Sequence, residues 1–382
     1  MTTRRILALT STRADFGLLS KTLRAIDTSN KLELKLCVTG THLSKKHGET
    51  FKFIEEDGFN IAHRIPIIKD NGEKESVSTF MATLLGSFSK YLEEIKPDLI
   101  LLLGDRYEIF AAATCCTINR IPIAHIHGGE LSEGAFDDAF RHSITKMSHI
   151  HFTSSEEHMH RVIQLGESKE RVFNVGAPGV ELIKETELLS KDQIQENTGI
   201  KLSDRNFIIT YHPETLDLTL NPKQQIENLL TVLEKYKDTR LIFTQSNADP
   251  GGAEINNEIN RFVGKNKNSS FHSSLGQLNY LSILGHCDAM IGNSSSSLIE
   301  APSFKLPALN IGLRQQSRMR SNNIINSKNH IQSIEKALDQ VLSMKRDSIQ
   351  NPFDRGNTSL SILEVLENID LKDILNKKFY DL

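Results

Sequence analysis

The sequence lacks several features that would assign a protein class at once. Among its 382 residues, 45 Lys and Arg oppose 48 Asp and Glu, so the formal net charge is −3 and a dedicated nucleic-acid binder is disfavoured. No apolar run approaches the ~18 residues of a membrane span. No low-complexity stretch, heptad pattern or short-period repeat is visible either. With 38% hydrophobic and 24% charged residues, the composition is globular and excludes disordered, collagen-like and coiled-coil chains.

Cysteine is also scarce. Cys37, Cys115, Cys116 and Cys287 show no C-x-x-C spacing, and the adjacent pair lies in an apolar helical pattern. We therefore predict free thiols that pack as small hydrophobes in a reducing compartment. The N-terminal residues contain no apolar stretch long enough for a signal peptide, so we expect a soluble, cytoplasmic protein.

Short β-type runs alternate with longer amphipathic stretches, which is typical of βα units around parallel sheets. We predict two α/β domains over residues 1–176 and 177–358, with one or two helices over 359–382 that can return to the first domain. A charged helix is predicted over 181–198. The predicted strands are Ile6–Thr10, Leu34–Thr39, Leu99–Leu103, Ile121–His125, His149–Thr153, Phe207–Tyr211, Leu241–Thr244, Phe271–His272, Ala289–Ile291 and Ala308–Asn310, and a further strand that ends in Gly and Pro is predicted within Val172–Pro178.

Carboxylates follow the predicted strands of the first half. Asp105 and Glu130 come after two successive strands, and Asp137 and Asp138 begin a helix that continues to Arg141. Because the carboxyl ends of parallel strands share one edge, we expect these groups to lie together. Clustered carboxylates repel one another and persist where they move protons or stabilise a cation. Helix capping explains Asp137 and Asp138 but neither of the others, so the cluster predicts a catalytic site.

A run of small polar residues follows Ala289–Ile291 in the second half. Gly292-Asn-Ser-Ser is predicted to open a helix, where backbone N–H groups and hydroxyls can hold a phosphate, or where the serines simply cap the helix. Glu300 is then expected nearly two turns into that helix. It either accepts the hydroxyls of a ribose or lies on a solvated face.

Cationic side chains are predicted near the same strand ends. Arg13 lies in the first strand-to-helix turn, Arg106 follows Asp105, and Arg314 and Arg318 follow the last predicted strand. Such local positive charge on a near-neutral protein suits a diphosphate ligand, although surface salt bridges are the alternative. His212 ends the first strand of the second domain, and a histidine there is structural or faces the ligand.

Five histidines are concentrated in one stretch of the first domain. His125, His127, His142, His149 and His151 include two H-x-H pairs, which are compatible with zinc. No cysteine or H-E-x-x-H spacing accompanies them. We therefore predict no metal and interpret His125 and His149 as lining a polar sheet end.

These motifs together resemble the hydrolysing UDP-N-acetylglucosamine 2-epimerases, especially the NeuC-type enzymes of bacterial sialic acid synthesis. The resemblance covers most of the chain. It implies a glycosyltransferase-B-like fold of two Rossmann-like domains facing a central cleft, no cofactor, and a homodimer or homotetramer without nucleic-acid or membrane partners. The matching motifs are Thr12-Arg-Ala-Asp15, Gly104-Asp-Arg106, His127-Gly-Gly-Glu130, Asp137-Asp138 with Arg141-His-Ser-Ile-Thr-Lys146, His212-Pro213, Gly292-Asn-Ser-Ser295 and Arg314-Gln315.

The resemblance also implies a role for each site residue. The three carboxylates Asp105, Glu130 and Asp137 would perform the chemistry, and His212 with the cations would act at the phosphates. Two positions depart from the family pattern, Ser297 and Ser317, where the family usually has glycine. The implied substrate-binding residues are Arg13, Arg106, Asp138, Arg141, Asn247, Ser294, Ser295, Glu300 and Arg314.

The implied reaction converts UDP-N-acetylglucosamine and water to N-acetylmannosamine and UDP. UDP is eliminated to give 2-acetamidoglucal, which is then hydrated. The alternative substrates are UDP-diacetylbacillosamine and GDP-N-acetylglucosamine, used for legionaminic acid synthesis. A retaining glycosyltransferase and a catalytically silent sugar-nucleotide sensor are the alternatives from other functional classes.

Overall fold

The computed structural model describes residues 3–69, 76–132, 136–214, 219–246, 251–316 and 318–381. Contacts divide the chain into unit 1, Met1–Leu182 with Phe353–Leu382, and unit 2, Ile183–Pro352. Each unit contains one parallel sheet with an apolar core on both faces, which confirms the predicted α/β class with two Rossmann-like domains. None of the described helices is long and apolar enough to cross a membrane.

The elements follow one another in a strand–helix alternation. The first fourteen are β1 (Arg4–Thr10), α1 (Arg13–Asp27), β2 (Leu32–Thr39), α2 (Phe51–Glu56), β3 (Ile61–Ile65), α3 (Val77–Ile95), β4 (Leu99–Leu103), α4 (Tyr107–Ile118), β5 (Ile123–Ile126), α5 (Asp137–Met147), β6 (Ile150–Thr153), α6 (Glu156–Gln164), β7 (Val172–Asn174) and α7 (Pro178–Glu185). Unit 2 continues with α8 (Lys191–Thr198), β8 (Asn206–Thr210), α9 (Pro222–Leu233), β9 (Arg240–Thr244), α10 (Gly252–Lys265), β10 (Ser269–His272), α11 (Gln277–Gly285), β11 (Ala289–Gly292), α12 (Ser296–Ile299), β12 (Ala308–Ile311), β13 (Ile324–Ser327) and α13 (Ile331–Leu342). Unit 1 is completed by α14 (Thr358–Asn368).

The sheet of unit 1 has the order β3-β2-β1-β4-β5-β6-β7, with parallel pairing throughout. Along β1, Ile6 and Ala8 face one core while Leu7 and Leu9 face the other, as the period of a strand requires. Burial on both faces explains why its strands are continuous apolar runs. The order reverses between β1 and β4, so a crevice is expected at the carboxyl ends there.

The sheet of unit 2 has the order β10-β9-β8-β11-β12-β13, again parallel. Relative to its own first strand, this order repeats that of unit 1 without a seventh strand. Its switch point lies between β8 and β11. The carboxyl ends of these two strands are followed by His212 and by Gly292-Asn-Ser-Ser.

All eleven predicted strands are present: the ends of ten differ by no more than two residues, and β7 covers only the first three residues of the predicted stretch Val172–Pro178. The edge strands β3 and β13 were not predicted. The single charged helix predicted over 181–198 is wrong: α7 ends at Glu185 and α8 begins after Ser190, whose side chain forms a capping box with Gln193. The C-terminal stretch forms one helix, α14, and no helix is present in the described residues after it.

Candidate active site

The turn after β5 places Glu130. His127 and Gly129 both adopt positive φ, 68° and 80°. A Cβ on Gly129 would lie 2.3 Å from the His158 carbonyl oxygen of α6, so this position accepts only glycine without a shift of the backbone. The turn therefore packs directly on α6 and returns the chain toward the end of β6.

Glu130 is held by side chains from three elements. Its Oε1 accepts hydrogen bonds from His127 Nδ1 at 2.5 Å and Ser154 Oγ at 2.6 Å, and Oε2 lies 3.7 Å from Arg141 Nη1. Desolvation alone would raise the pKa of Glu130. The charge and hydrogen bond of His127, with the charge of Arg141, hold that pKa well below its ordinary value. Glu130 is therefore a fixed, ionised carboxylate.

Arg141 joins two carboxylates. It is 6% exposed on α5 and pairs through Nη2 with Asp105, in addition to its contact with Glu130. Its Nη1 also donates to the His127 carbonyl oxygen at 2.8 Å, which fixes the guanidinium against the turn. One cation thus balances part of the repulsion between Asp105 and Glu130.

The two aspartates that begin α5 differ in their surroundings. Asp138 accepts a hydrogen bond from the Ser132 amide at 2.6 Å and lies 3.4 Å from His142 Nε2, so it ties the preceding loop to the helix. Asp137 has a raised pKa because of partial burial and the nearby charge of Asp105. Burial and the charge of Asp105 thus favour the protonated form of Asp137, in contrast to the ionised Glu130.

The turn after β1 is organised by a buried carboxylate. Asp15 accepts from Ser11 Oγ at 2.8 Å and from the Thr12 amide at 3.1 Å, and it completes a capping box at the start of α1. Burial raises the pKa of Asp15, but hydrogen bonds from His42 and its neighbours lower it overall. Arg13 stays exposed beside this turn, with its guanidinium 4.7 Å from the centre of the Phe53 ring.

Arg106 is engaged by a neighbour on its own helix. Its Nε and Nη2 donate to the two oxygens of the buried Glu108, at 3.1 and 3.0 Å. Burial works against the charge of Arg106, yet this bidentate pair raises the pKa overall. The pair orients the guanidinium at the end of β4, with its side chain 41% exposed.

In unit 2, Asn293 joins the ends of β8 and β11. Its Oδ1 accepts from the His212 amide at 2.7 Å and its Nδ2 donates to the His212 carbonyl at 2.8 Å. The strands approach so closely that a Cβ on Gly292, at φ 131°, would lie 1.9 Å from the Thr210 oxygen. The backbone of His212 is therefore clamped to the start of the serine run.

Glu214 connects β8 to the loop after β12. Its carboxylate accepts from the amides of Leu313 at 2.6 Å and Arg314 at 3.0 Å. A Cβ on Gly312, whose φ is 83°, would collide with that carboxylate. Gln315 completes the connection by donating to the Asn293 carbonyl at 2.8 Å. The loops after β8, β11 and β12 thus form one rigid edge.

The helix after the serine run is much shorter than predicted. α12 contains only Ser296–Ile299, and Glu300 follows it instead of lying two turns inside, because Pro302 opens a 3-10 turn. Burial raises the pKa of Glu300, and its Oε2 has no hydrogen-bond partner among the described residues. An unpaired buried acceptor suits a ligand hydroxyl.

Some hydroxyls of the serine run form hydrogen bonds within the run, and others do not. Ser297 Oγ donates to the Ser294 carbonyl at 2.7 Å, and Ser294 Oγ accepts weakly from the Ser296 amide at 3.3 Å. Ser295 makes no side-chain cap bond at the start of α12. Asn247 and Ser317 lie outside the described residues.

Histidines of the histidine-rich stretch in the first domain form hydrogen bonds within the fold. His125 Nε2 bonds to the Gly104 carbonyl at 2.8 Å, and His151 Nε2 bonds to the buried Glu167 at 3.0 Å. Burial lowers the pKa of His125 to about 3. Within the described ranges, no group of three or more His, Cys, Asp or Glu side chains is arranged to hold a metal ion.

Two contributors to the site were missed from the sequence. Ser154 binds Glu130, and His158 Nδ1 bonds in turn to Ser154 Oγ at 2.8 Å. Ser154 directly follows β6, the strand next to β5, so the rule that ligands meet at carboxyl ends of neighbouring strands would have indicated it.

The comparisons with known proteins decide the family. The family model described as UDP-N-acetylglucosamine 2-epimerase matches residues 24–367. The chain belongs to the UDP-N-acetylglucosamine 2-epimerase family. Membership in this enzyme family confirms the resemblance drawn from the motifs.

The names of two relatives that align over nearly the whole of this chain point to different sugars. The chain is 40% identical to the GDP/UDP-N,N'-diacetylbacillosamine 2-epimerase (hydrolyzing) of Campylobacter jejuni, over 100% of both chains. It is 36% identical to polysialic acid biosynthesis protein P7 of Escherichia coli, over 99% of this chain and 98% of the relative.

The fold is shared with solved members of the family. The crystal structure of UDP-GlcNAc 2-epimerase from Neisseria meningitidis bound to UDP-GlcNAc matches with a TM-score of 0.79 at 18% identity, over 95% of this chain and 99% of that one. This likeness establishes the glycosyltransferase-B-like fold for the epimerase family member described here.

Proposed function

We propose that this protein is a hydrolysing 2-epimerase, which releases UDP from a UDP-linked 2-acetamido sugar and inverts the sugar at C2. The observation that carries the proposal is the cluster of Asp105, Glu130 and Asp137 around Arg141, at the carboxyl ends of β4 and β5. Family membership and the name of the Campylobacter relative support the reaction type.

The chemistry requires such a cluster. The C2 proton of a sugar nucleotide is not next to a carbonyl, so UDP must leave before or during its removal. Departure of UDP creates an oxocarbenium-like centre, which fixed carboxylates stabilise electrostatically. Loss of the C2 proton then gives 2-acetamidoglucal. Water adds at C1, and a proton returns to the opposite face of C2.

The two acid–base roles are assigned from the surroundings of the carboxylates. We assign the base to Glu130, which the charges and hydrogen bonds around it keep ionised. An acid must hold a proton, which suits Asp137 with its raised pKa. Asp105, held by Arg141, then orients sugar hydroxyls.

The nucleotide is proposed to bind at the rigid edge of unit 2. Ser294 and Ser295 donate to the diphosphate, Arg314 neutralises it, and His212 assists its departure. The unpaired Oε2 of Glu300 accepts ribose hydroxyls. Arg13, Arg106 and Asn247 are kept as nucleotide contacts on the family resemblance alone.

Two sugars are candidates for the substrate. The motif resemblance to NeuC-type enzymes favours UDP-N-acetylglucosamine, with N-acetylmannosamine as product for sialic acid synthesis, and the relationship to polysialic acid biosynthesis protein P7 agrees with it. The 40% identity to the Campylobacter enzyme favours UDP-N,N'-diacetylbacillosamine as the second candidate. Both share the acetamido group at C2 and the UDP leaving group, so the mechanism is common to them.

The test is incubation with each sugar nucleotide in deuterated water, followed by NMR. Free N-acetylmannosamine with deuterium at C2, together with released UDP, is expected from UDP-N-acetylglucosamine. Release of a free, C2-deuterated sugar epimer only from UDP-N,N'-diacetylbacillosamine, with UDP, or only from GDP-N-acetylglucosamine, with GDP, would keep the reaction and change the substrate.

Other products would overturn the reaction class. UDP-N-acetylmannosamine without hydrolysis would indicate a non-hydrolysing epimerase. Transfer of labelled sugar to an acceptor without C2 exchange would indicate a retaining glycosyltransferase. UDP binding without turnover of any of the three substrates would indicate a sensor.

We also propose a cytoplasmic location and a homodimer or homotetramer. The location is supported by four cysteines that are free and buried. The oligomer rests on the family resemblance, and light scattering of the purified protein tests it.

A further inference from the structure

A cavity lies at the opposite edge of the unit 1 sheet from the carboxylate cluster. Its volume is about 530 Å³, and it sits at the amino ends of β5 and β6, beside the last turns of α4 and α5. This volume lies in the range of small-molecule sites. The lining residues are Thr117, Arg120, Ile121, Lys146, Met147, His149, Leu375, Asn376 and Lys377.

The lining is rich in hydrogen-bond donors. It includes Arg120, Lys146 and Lys377 but neither Asp nor Glu. The nearest carboxylate, the buried Glu167, pairs with Lys146 Nζ at 2.5 Å and Lys377 Nζ at 2.6 Å. Two of the three cations share this carboxylate and Arg120 does not pair with it, so the cavity has an excess of positive charge.

The lysines have structural duties that account for their presence. Lys377 Nζ donates to the carbonyl oxygens of Lys146 and Ser148 at 2.8 and 2.6 Å, which completes the C-terminal end of α5. Lys146 donates to the Leu165 carbonyl at 2.9 Å. These contacts explain how the C-terminal segment is held, but they do not involve Arg120.

Arg120 has no such duty. Its guanidinium is exposed and makes no hydrogen bond or ion pair with any residue in the described part of the chain. Its backbone occupies the left-handed position after α4, at φ 57°, which favours glycine or asparagine. An arginine kept in that conformation, with an unpaired fork of donors facing a cavity, indicates a binding role.

His149 supplies a second unpaired donor. The side chain is 7% exposed, and its Nδ1 accepts from the Ile123 amide at 3.2 Å, so the hydrogen of the neutral ring is on Nε2. Nε2 has no hydrogen-bond partner among the described residues, and the ring lines the cavity. This N–H is open to the cavity and can donate to an acceptor oxygen of a ligand there.

We propose that this cavity is a second, non-catalytic binding site for a small molecule that carries an oxyanion, either a phosphate or a carboxylate. Arg120 binds two of the oxyanion oxygens, His149 Nε2–H donates to the anion, and the lysines contribute charge. The strands β5 and β6 separate this cavity from Glu130, so the ligand is not the reacting sugar. The proposal does not depend on the proposed function.

The test is calorimetric titration with inorganic phosphate and with glucuronate, as phosphate and carboxylate probes, at constant ionic strength. UDP is added first at saturation so that a nucleotide site is already filled. We expect millimolar binding of at least one probe. Arg120→Gln should weaken it at least 10-fold, while Arg205→Gln, an exposed arginine of unit 2, should leave it unchanged.

Two further variants separate binding from folding. Arg120→Gly removes the side chain but relieves the left-handed backbone, so Tm without probe should stay level or rise by roughly 2 °C while binding is lost. His149→Asn keeps an acceptor for the Ile123 amide and removes the Nε2 donor, so it should also weaken binding. Absence of binding by both probes, or equal binding by Arg120→Gln and the native protein, would overturn the proposal.

Discussion

The two units repeat one strand order but differ in the chemistry of their carboxyl edges. In unit 1 the edge is charged and already paired: Glu130 and Asp105 converge on the buried Arg141. In unit 2 the edge is held through backbone groups: Asn293 bonds to the amide and carbonyl of His212, and Glu214 accepts from the amides of Leu313 and Arg314. The shared fold sets where strand ends lie, and the side chains decide which chemistry each edge is suited to.

Neutralising Glu130 is the variant with the largest expected effect, and it tests whether the two edges have different roles. We expect Glu130→Gln to lower turnover about 10³-fold, because the amide neither accepts the C2 proton nor stabilises a cation. UDP affinity, measured by calorimetry, should be nearly unchanged since unit 2 is untouched.

The matched control for that variant is Glu33→Gln, which removes an exposed carboxylate that pairs with Arg5 and Lys35. It should retain full turnover. Loss of UDP affinity with normal turnover in Glu130→Gln would contradict the division of labour between the units.

The next largest expected difference between the units is in their stability at acidic pH. Burial lowers the pKa of His125 to about 3 and of His149 to about 4, and the pKa values of His151 and His158 are also lowered. Because these histidines protonate near 6.5 in an unfolded chain, the stability of unit 1 should fall as pH drops from about 6.5 to about 4.

Unit 2 should respond less to the same change of pH. Burial lowers the pKa of His272, which acts in the same direction, but burial raises the pKa of Glu300, whose protonation in the folded state opposes acid unfolding. Hydrogen exchange followed by mass spectrometry should show unit 1 peptides losing protection at a higher pH than unit 2 peptides. Earlier loss in unit 2 would refute the expectation.

The glycine turn before Glu130 gives a smaller effect on stability. Gly129→Ala should destabilise unit 1 by about 2–4 kcal/mol, because the new Cβ would meet the His158 oxygen at 2.3 Å in addition to the unfavourable φ. Gly58→Ala is a matched control, since Gly58 has φ 81° and open space around it. It should cost about 1 kcal/mol. Thermal unfolding measures both, and equal losses would show that the contact with α6 is unimportant.

The smallest expected effect is on nucleotide binding. Ser295→Ala should weaken UDP binding about 3–10-fold, as one hydrogen bond to a charged group is lost, with no change in Tm. Ser297→Ala is the contrasting variant, because that hydroxyl bonds internally to the Ser294 carbonyl. It should lower Tm more than affinity. The reverse pattern would assign the binding hydroxyl to Ser297.

The strands that the sequence predicted are those buried on both faces. β4, Leu99–Leu103, is fully buried and consists of leucine and isoleucine only. The two missed strands, β3 and β13, lie at sheet edges and contain exposed or half-exposed positions, so they lack a continuous apolar run. Periodicity detects burial, and edges are only partly buried.

The residues of the candidate site were predictable from the sequence, but the contacts between their side chains were not. The sequence indicated Asp105, Glu130 and Asp137 because they follow strands. Sequence spacing does not encode the loop geometry that sets these contacts. It did not predict that Arg141 pairs with Asp105 or that Asp138 accepts from the Ser132 amide. The prediction that Glu300 lies nearly two turns inside a helix is wrong for a local reason, because Pro302 ends the helix that the serine run begins.

The discontinuity of unit 1 has a consequence for synthesis on the ribosome. The buried residues Ile362 and Leu366 of α14 belong to the same core as Leu19 and Leu23 of α1. At roughly 5–20 residues per second, the whole of unit 2 is translated before α14 emerges, a delay on the order of ten seconds. Nascent unit 1 therefore waits with an apolar helix face uncovered while unit 2 can already fold, which makes α1 the natural contact for a chaperone during elongation.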